Sequence, residues 1–216
     1  MAAIELVLWD WNGTLLDDVQ LCRQVLNRML AETGCANQFD TRGYRRIFGF
    51  PVQEYYRRAG FDFSRHSFEV LAQRFMDLYI PASFGCPLTP GARGVLAALE
   101  QKGLRQVILS ASPLDTLQAQ TEHLGVQGFF DKLLGLSDIY AKSKVELGVN
   151  WMAQSGIDPS RAVMIGDTVH DAEVAAAMGV QCVLYSGGHQ PPARLAAAGC
   201  PVIPRLSRLP GMLDTL

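Results

Sequence analysis

The chain has 216 residues, enough for one large domain or for a domain carrying an insertion, with a well-buried core in either case. Its 49% hydrophobic, 19% charged and 9% aromatic residues exclude a disordered, collagen-like or coiled-coil chain. A formal net charge of −2 supplies no general basic field, so neither nucleic acid nor an anionic membrane is an expected partner.

The first expected element is a strand over residues 4–9, a nearly continuous apolar run of the kind that is buried on both faces of a parallel sheet. It stops at Asp10, too soon and with too little basic charge before it for a signal peptide. Charges interrupt every other apolar run well short of the ~20 residues a membrane helix needs, and a cytoplasmic location is expected. From about Leu16 to Cys86 the pattern changes. Leu21, Val25, Leu26, Met29 and Leu30 make one helical stripe, and Val70, Leu71, Phe75, Met76, Leu78 and Tyr79 make another. This stretch reads as an inserted helical cap over residues 16–86, returning to the core through the Pro- and Gly-rich residues 85–91. Inside it, Arg45-Arg46-Ile-Phe48-Gly-Phe50-Pro51 is a loop between helices that could close over a site. Arg45, Arg46, Phe48 and Phe50 are its candidates for reading a substrate; an ordinary helix connection would look the same.

Beyond the insertion, helices are expected over 92–102, 114–124, 146–155 and 172–178, each closed by a glycine. Apolar runs at 106–109, 162–165 and 181–185 alternate with them and end at small or polar residues. Such βαβ alternation predicts an α/β fold, a doubly wound, Rossmann-like parallel sheet, built from residues 1–15 and 87–216 with the helical cap inserted. The five cysteines are scattered without a Cys-x-x-Cys pair and read as buried or idle thiols.

In a parallel sheet, ligands bind beyond the carboxyl ends of the strands, which here carry Asp10, Ser110 and Asp167. Two carboxylates brought to one crevice repel unless a cation joins them, and Mg²⁺ suits such a hard, oxygen-lined place. Gly13 permits a tight turn after the strand, and Thr14 offers a hydroxyl and an N–H to an anion. Either aspartate alone reads equally well as a turn residue or a helix cap.

Four strings in order, Leu6-Val-Leu-Trp-Asp10-Trp-Asn-Gly-Thr-Leu-Leu16, the run ending at Ser110, Ala-Lys142-Ser-Lys144-Val-Glu146 and Ile165-Gly-Asp167-Thr-Val-His-Asp171, resemble the motifs of the haloacid dehalogenase-like hydrolases. The small helical insertion and Pro90-Gly91 at its exit are similar to phosphatases of the phosphoglycolate phosphatase type. The resemblance implies a Mg²⁺-dependent phosphohydrolase acting on a small phosphorylated metabolite, as a monomer or homodimer. Asp10 would be the nucleophile forming an aspartyl-phosphate. Asp10, Asp167 and the backbone carbonyl of Asn12 would hold Mg²⁺, with Asp171 behind. Ser110 and the N–H of Ala111, with Gly13 and Thr14, would bind the phosphoryl oxygens. A lysine would stand between nucleophile and phosphate. Lys144 matches the form of the motif that opens directly on the helix; Lys142 matches the form four residues before a glutamate.

Asn12 departs from the pattern, because phosphatases of this superfamily carry an aspartate there as general acid and base. Its loss should slow esters with basic leaving groups, since such help is worth roughly 10²–10⁴ in rate. The departure keeps open a catalytically weakened phosphate-ester-binding protein of the same fold. Phosphonatase chemistry needs a cap lysine, and no lysine precedes Lys102; dehalogenases lack a counterpart of Asp167. His170 could stand in as a proton carrier, although a capping or packing role is the simpler reading, and His189 reads as a loop residue.

Overall fold

The computed structural model describes residues 3–136 and 143–215. Strand β1 (Leu6–Trp9) is followed by four helices, α1 (Val19–Glu32), α2 (Thr41–Ile47), α3 (Val52–Ala59) and α4 (Phe68–Ser83). Alternation then sets in: α5 (Ala92–Gln101), β2 (Arg105–Pro113), α6 (Leu114–His123), β3 (Lys132–Leu136), α7 (Lys144–Ser155), β4 (Ala162–Gly166), α8 (Val169–Met178) and β5 (Gln181–Tyr185). Helix α9 (Pro192–Ala196), β6 (Val202–Ile203) and α10 (Leu209–Met212) complete it. The strands form one six-stranded sheet in the order β3-β2-β1-β4-β5-β6, with every pairing parallel. This is the doubly wound α/β arrangement expected from the alternation of runs.

Every residue of β1 and of β4 is buried, because both faces of the sheet are covered. Successive side chains alternate between the faces. Val7 and Trp9 pack with Leu96 of α5 and Leu117 of α6, whereas Leu6 and Leu8 pack with Met152 of α7 and Val174 of α8. The fully buried Trp9 indole donates to Gln106 Oε1 at 3.1 Å, and the Gln106 amide donates to the Leu96 carbonyl at 3.0 Å. Trp11 likewise donates to Gln120 Oε1 at 2.7 Å. Each indole N–H is thereby satisfied, which avoids the ~1–3 kcal/mol cost of an orphaned buried donor.

Two strands were not expected from the sequence, β3 and β6, and they are the two edges of the sheet. An edge strand is covered less completely, so its apolar run is broken, by Lys132 and Gly135 in β3, while β6 has only two residues. Helices α1 to α4 bury Leu26, Leu30, Tyr44, Tyr55 and Tyr79 in a cluster of their own, apart from the clusters on the sheet. Among the described residues, no helix is long and apolar enough to cross a membrane. All five cysteines are free thiols, with Cys22 and Cys86 buried.

Candidate active site

The central strands β1 and β4 are neighbours, and the residue following each is an aspartate, Asp10 and Asp167. Strand β2, on the other side of β1, carries Ser110, so the candidates meet where the winding of the sheet reverses. The Asp10 amide still donates to the Ile165 carbonyl at 2.8 Å, which anchors its backbone to the ladder. Thr14 turns its hydroxyl back to Asp10 Oδ2 at 3.0 Å and lies 3.4 Å from Asp167 Oδ1. Gly13 makes this return possible: its φ is +75°, and a Cβ there would overlap His189 and Asp167.

Lys144 is the first residue of α7, whose start is set by Ser143 Oγ accepting the Glu146 amide at 3.3 Å. Its buried ammonium bridges Asp10 and Asp171, reaching Asp171 Oδ1 at 2.7 Å. Lys142 lies outside the described residues. Asp171 sits in the first turn of α8, where its Oδ2 accepts from the Asp167 amide (3.1 Å), the Thr168 amide (3.0 Å) and the Thr168 hydroxyl (2.7 Å). Both of its oxygens are thus engaged, and it acts on the site by holding Lys144.

The electrostatics follow from burial. Burial, reinforced by Asp171, pushes Asp10 up to about 6 against the pull of Lys144. Burial also pushes Asp167 up to about 8, with Asp10 and Asp171 adding to it and His189 opposing. For Asp171, burial is outweighed by Lys144 and the Thr168 donors, so its carboxyl lies below the usual range. Burial works against the Lys144 charge as well, but Asp10 and Asp171 overcome it and raise its pKa. Asp10, Asp167 and Asp171 present carboxylate oxygens within 4.8 Å of one another, all buried. The Lys144 ammonium meets only Asp10 and Asp171, so Asp10 and Asp167 are left facing each other as a hard, oxygen-only donor pair suited to a divalent cation.

Ser110 is buried, and its Oγ accepts the Ser112 amide at 3.0 Å; Ala111 and Ser112 line the pocket in front of Asp10. Asn12 is held at both ends of its amide. Its Oδ1 accepts from the Ser112 hydroxyl at 2.7 Å, and its Nδ2 donates to Asp18 Oδ2 at 2.9 Å and to the Tyr79 hydroxyl at 2.6 Å.

Asp18 and His189 are the residues that sequence reasoning missed. Asp18 is fully buried and accepts from the Gly13 amide at 2.8 Å and the Tyr79 hydroxyl at 2.6 Å. His189 lies in the loop after β5, as expected, but it is buried, with Nε2 3.2 Å from Asp18 Oδ1 and Nδ1 2.8 Å from the Tyr44 hydroxyl, while its amide donates to Asp167. Burial disfavours the imidazolium, but Asp18 outweighs it and raises His189 to about 9. Burial is likewise outweighed at Asp18, where His189, Tyr79 and Asn12 hold the carboxyl below its usual range. The local hint was the string Gly187-Gly188-His189-Gln190 after the last apolar run, whose polar side chains the structure buries.

This pair predicts a pH-dependent stability. A histidine whose pKa is raised by folding stabilises fully below its unfolded value of 6.5, and the contribution fades as pH rises through about 9. The Asp18 contribution is present above its unfolded value of 3.8. With chelator present, His189→Gln is expected to lose about 3–5 kcal/mol, the cost of leaving a buried carboxylate without its cation. That difference should shrink toward the alkaline end of a urea-denaturation series. A difference that stays constant through the fading of the imidazolium would show that its charge contributes nothing.

A pocket of about 180 Å³ in front of Asp10 and Asp167 is closed on the helical side by Phe48, Phe50, Phe75 and Tyr79. The loop expected to read substrate therefore meets the pocket through its two phenylalanines. Arg45 turns instead to the Gly187 carbonyl, and Arg46 is exposed, so neither arginine is among the residues lining this pocket. His170 packs against Phe50, the rings tilted with centroids 4.6 Å apart, and pairs with Glu173 at 2.9 Å. That is the packing role at a helix start.

A family model described as haloacid dehalogenase-like hydrolase matches residues 7–185. The chain is 30% identical to a phosphoglycolate phosphatase of Caulobacter vibrioides over 194 residues, covering 85% of this chain and 79% of that protein. It is 26% identical to a phosphoglycolate phosphatase of Pseudomonas putida over 219 residues, covering 97% of this chain and 80% of the relative. The crystal structure of a predicted phosphatase from Clostridium acetobutylicum shares the fold with a TM-score of 0.85 at 20% identity, both chains being covered in full.

Proposed function

The chain belongs to the haloacid dehalogenase-like hydrolases, and on that premise we propose that it is a Mg²⁺-dependent phosphatase that cleaves a small phosphate monoester through an aspartyl-phosphate at Asp10. The observation that carries this reading is the buried Lys144 ammonium bridging Asp10 and Asp171, with Asp167 facing the same crevice. We take residues 1–15 and 87–216 as the catalytic core and 16–86 as its cap, a division supported by the separate apolar cluster of α1 to α4.

In this reading, an Asp10 oxygen attacks phosphorus and the bond to the ester oxygen breaks, its electron pair leaving on that oxygen. Water then attacks the aspartyl-phosphate, releasing inorganic phosphate and restoring Asp10. Lys144 keeps the Asp10 carboxylate ionised and aimed, and Asp171 keeps Lys144 in place. Ser110 and the N–H of Ala111 are the donors for the phosphoryl oxygens, while the Thr14 hydroxyl holds Asp10. Asp10, Asp167 and the Asn12 carbonyl are the residues that would hold Mg²⁺, which when bound neutralises charge on the transferring group. A chain that binds phosphate esters without turnover would have no use for a buried lysine aimed at a nucleophilic carboxylate.

Phosphate release with Mg²⁺ and with chelator, over esters from nitrophenyl to sugar phosphates and with Asp10→Asn as blank, tests this function. Release that needs both the metal and Asp10 is expected, falling steeply as the leaving group becomes more basic. No release above the blank from any ester would favour the binding protein. A second expectation concerns the metal alone. Because Asp167 is pushed up to about 8 by burial, cation binding must displace a proton below that pH. Mg²⁺ affinity measured by calorimetry should weaken about tenfold per unit as pH falls from about 8 toward about 6, where Asp10 begins to take up a second proton, with one proton released per ion over that range. Affinity that ignores pH over that range would remove Asp167 from the ligand set.

A further inference from the structure

Beside the pocket in front of Asp10, against the Phe48–Phe50 loop, α4 and the start of α7, lies a chamber of about 370 Å³ that shares Phe48, Phe50, Phe75 and Lys144 with it as wall. The chamber is ringed by aromatic side chains, Phe48, Phe50, Tyr55, Phe68 and Phe75, with Met76 between them. Among the described lining residues the basic groups are Lys144 and His170, and both are spoken for: Lys144 by Asp10 and Asp171, His170 by Glu173. Against these described side chains a charged group would exchange its water for rings, which is unfavourable, whereas a ring gains by burial.

Asn12 points independently to the same chemistry. Both ends of its amide are bound, to Ser112 on one side and to Asp18 and Tyr79 on the other, and an amide has no proton to give a departing oxygen. Asn12 therefore favours a leaving oxygen that can depart as an anion. A phenol, with a pKa near 10 like that of tyrosine, tolerates this far better than an aliphatic alcohol.

We infer that the ester this site takes is an aryl phosphate, with its phosphoryl group at Asp10 and its uncharged ring in the aromatic chamber. The inference rests on the phosphatase reading above and names its substrate class. The phenolate leaves with the electron pair of the broken phosphorus–oxygen bond and takes its proton from water. A second water resolves the aspartyl-phosphate, so that ester and water become phenol and inorganic phosphate.

Rates on phenyl phosphate, 4-carboxyphenyl phosphate and phosphoglycolate, for the wild type and for Met76→Arg, test it, with Asp10→Asn as blank. Met76 lines the chamber but lies outside the apolar cluster that holds α1 to α4 together. In the wild type, kcat/KM for phenyl phosphate should exceed that for its carboxylated analogue by about tenfold or more, carried by KM. It should exceed that for phosphoglycolate by about 10²–10⁴-fold, carried largely by kcat. Met76→Arg should reverse the first preference by giving the carboxylate a partner, and a reversal would support the placement of the ring. Wild-type preference for either carboxylated ester, with release still lost in Asp10→Asn, would overturn the aryl assignment and leave the phosphatase standing. A folded Met76→Arg with unaltered preference would overturn the placement of the ring. Absence of Asp10-dependent release from all three would overturn both. The wild-type ratios decide the assignment even where the variant does not fold.

Discussion

Asp10→Asn is expected to lower Mg²⁺-dependent phosphate release by about 10⁴-fold or more, since loss of a covalent nucleophile leaves only the charge stabilisation of the remaining groups. The substitution keeps the size of the side chain and removes its nucleophilic oxygen pair. Lys144 retains Asp171 as a partner, so the ammonium is not stranded, and the backbone of residue 10 remains tied to Ile165. The variant should therefore fold, and phosphate binding followed by calorimetry should persist. Trapping with rapid acid quench should find phosphorylated protein in the wild type and none in the variant. A folded variant that keeps more than about a hundredth of the wild-type rate would place the nucleophile elsewhere, because that loss is no larger than the removal of a positioning group.

The paired substitution Asn12→Asp with Asp18→Asn is expected to raise kcat on alkyl phosphates by about 10²–10⁴-fold while changing nitrophenyl phosphate little. The two side chains face each other at 2.9 Å, Asn12 donating to Asp18. Exchanging them reverses that hydrogen bond and keeps it. The carboxyl then stands next to the leaving oxygen, with Ser112 and Tyr79 still in reach, and the amide at position 18 still accepts from Gly13. Asn12→Asp alone sets two buried carboxylates in contact, which must share a proton, so it should also speed alkyl esters but at a cost in stability. Plots of log kcat against leaving-group pKa for the wild type and the two variants read this directly. Parallel lines for the wild type and the paired variant would show that protonation of the leaving group is not what Asn12 lacks.

The centre of the sheet was legible because it is buried on both faces: β1 and β4 have no polar residue until the aspartate that follows each. The helices on the sheet announced themselves through periodic apolar residues and closing glycines, such as Gly156 and Gly179, both in the left-handed region with φ of +70° and +72°. The edges β3 and β6 were not legible, since half-covered strands need no unbroken apolar run. Arg45 and Arg46 drew attention by their charge, yet charge on a loop says nothing of which way it turns, and the phenylalanines beside them face the pocket.

The order of the motifs was enough to establish the sheet, the carboxylates at its edge and the family, because strand burial, turn glycines and helix caps are local properties that each segment writes into its own residues. The partner of Asn12 was not local. Asp18 reads as a residue at the start of α1, and its side chain makes no cap there; it turns inward to Gly13, Asn12 and Tyr79. His189 arrives at Asp18 from 171 residues away, and the tyrosines that hold the two come from α2 and α4. No spacing in the chain encodes such a meeting. Packing of the helical insertion against the end of the sheet decides it, because that packing buries the carboxylate and the imidazole side by side.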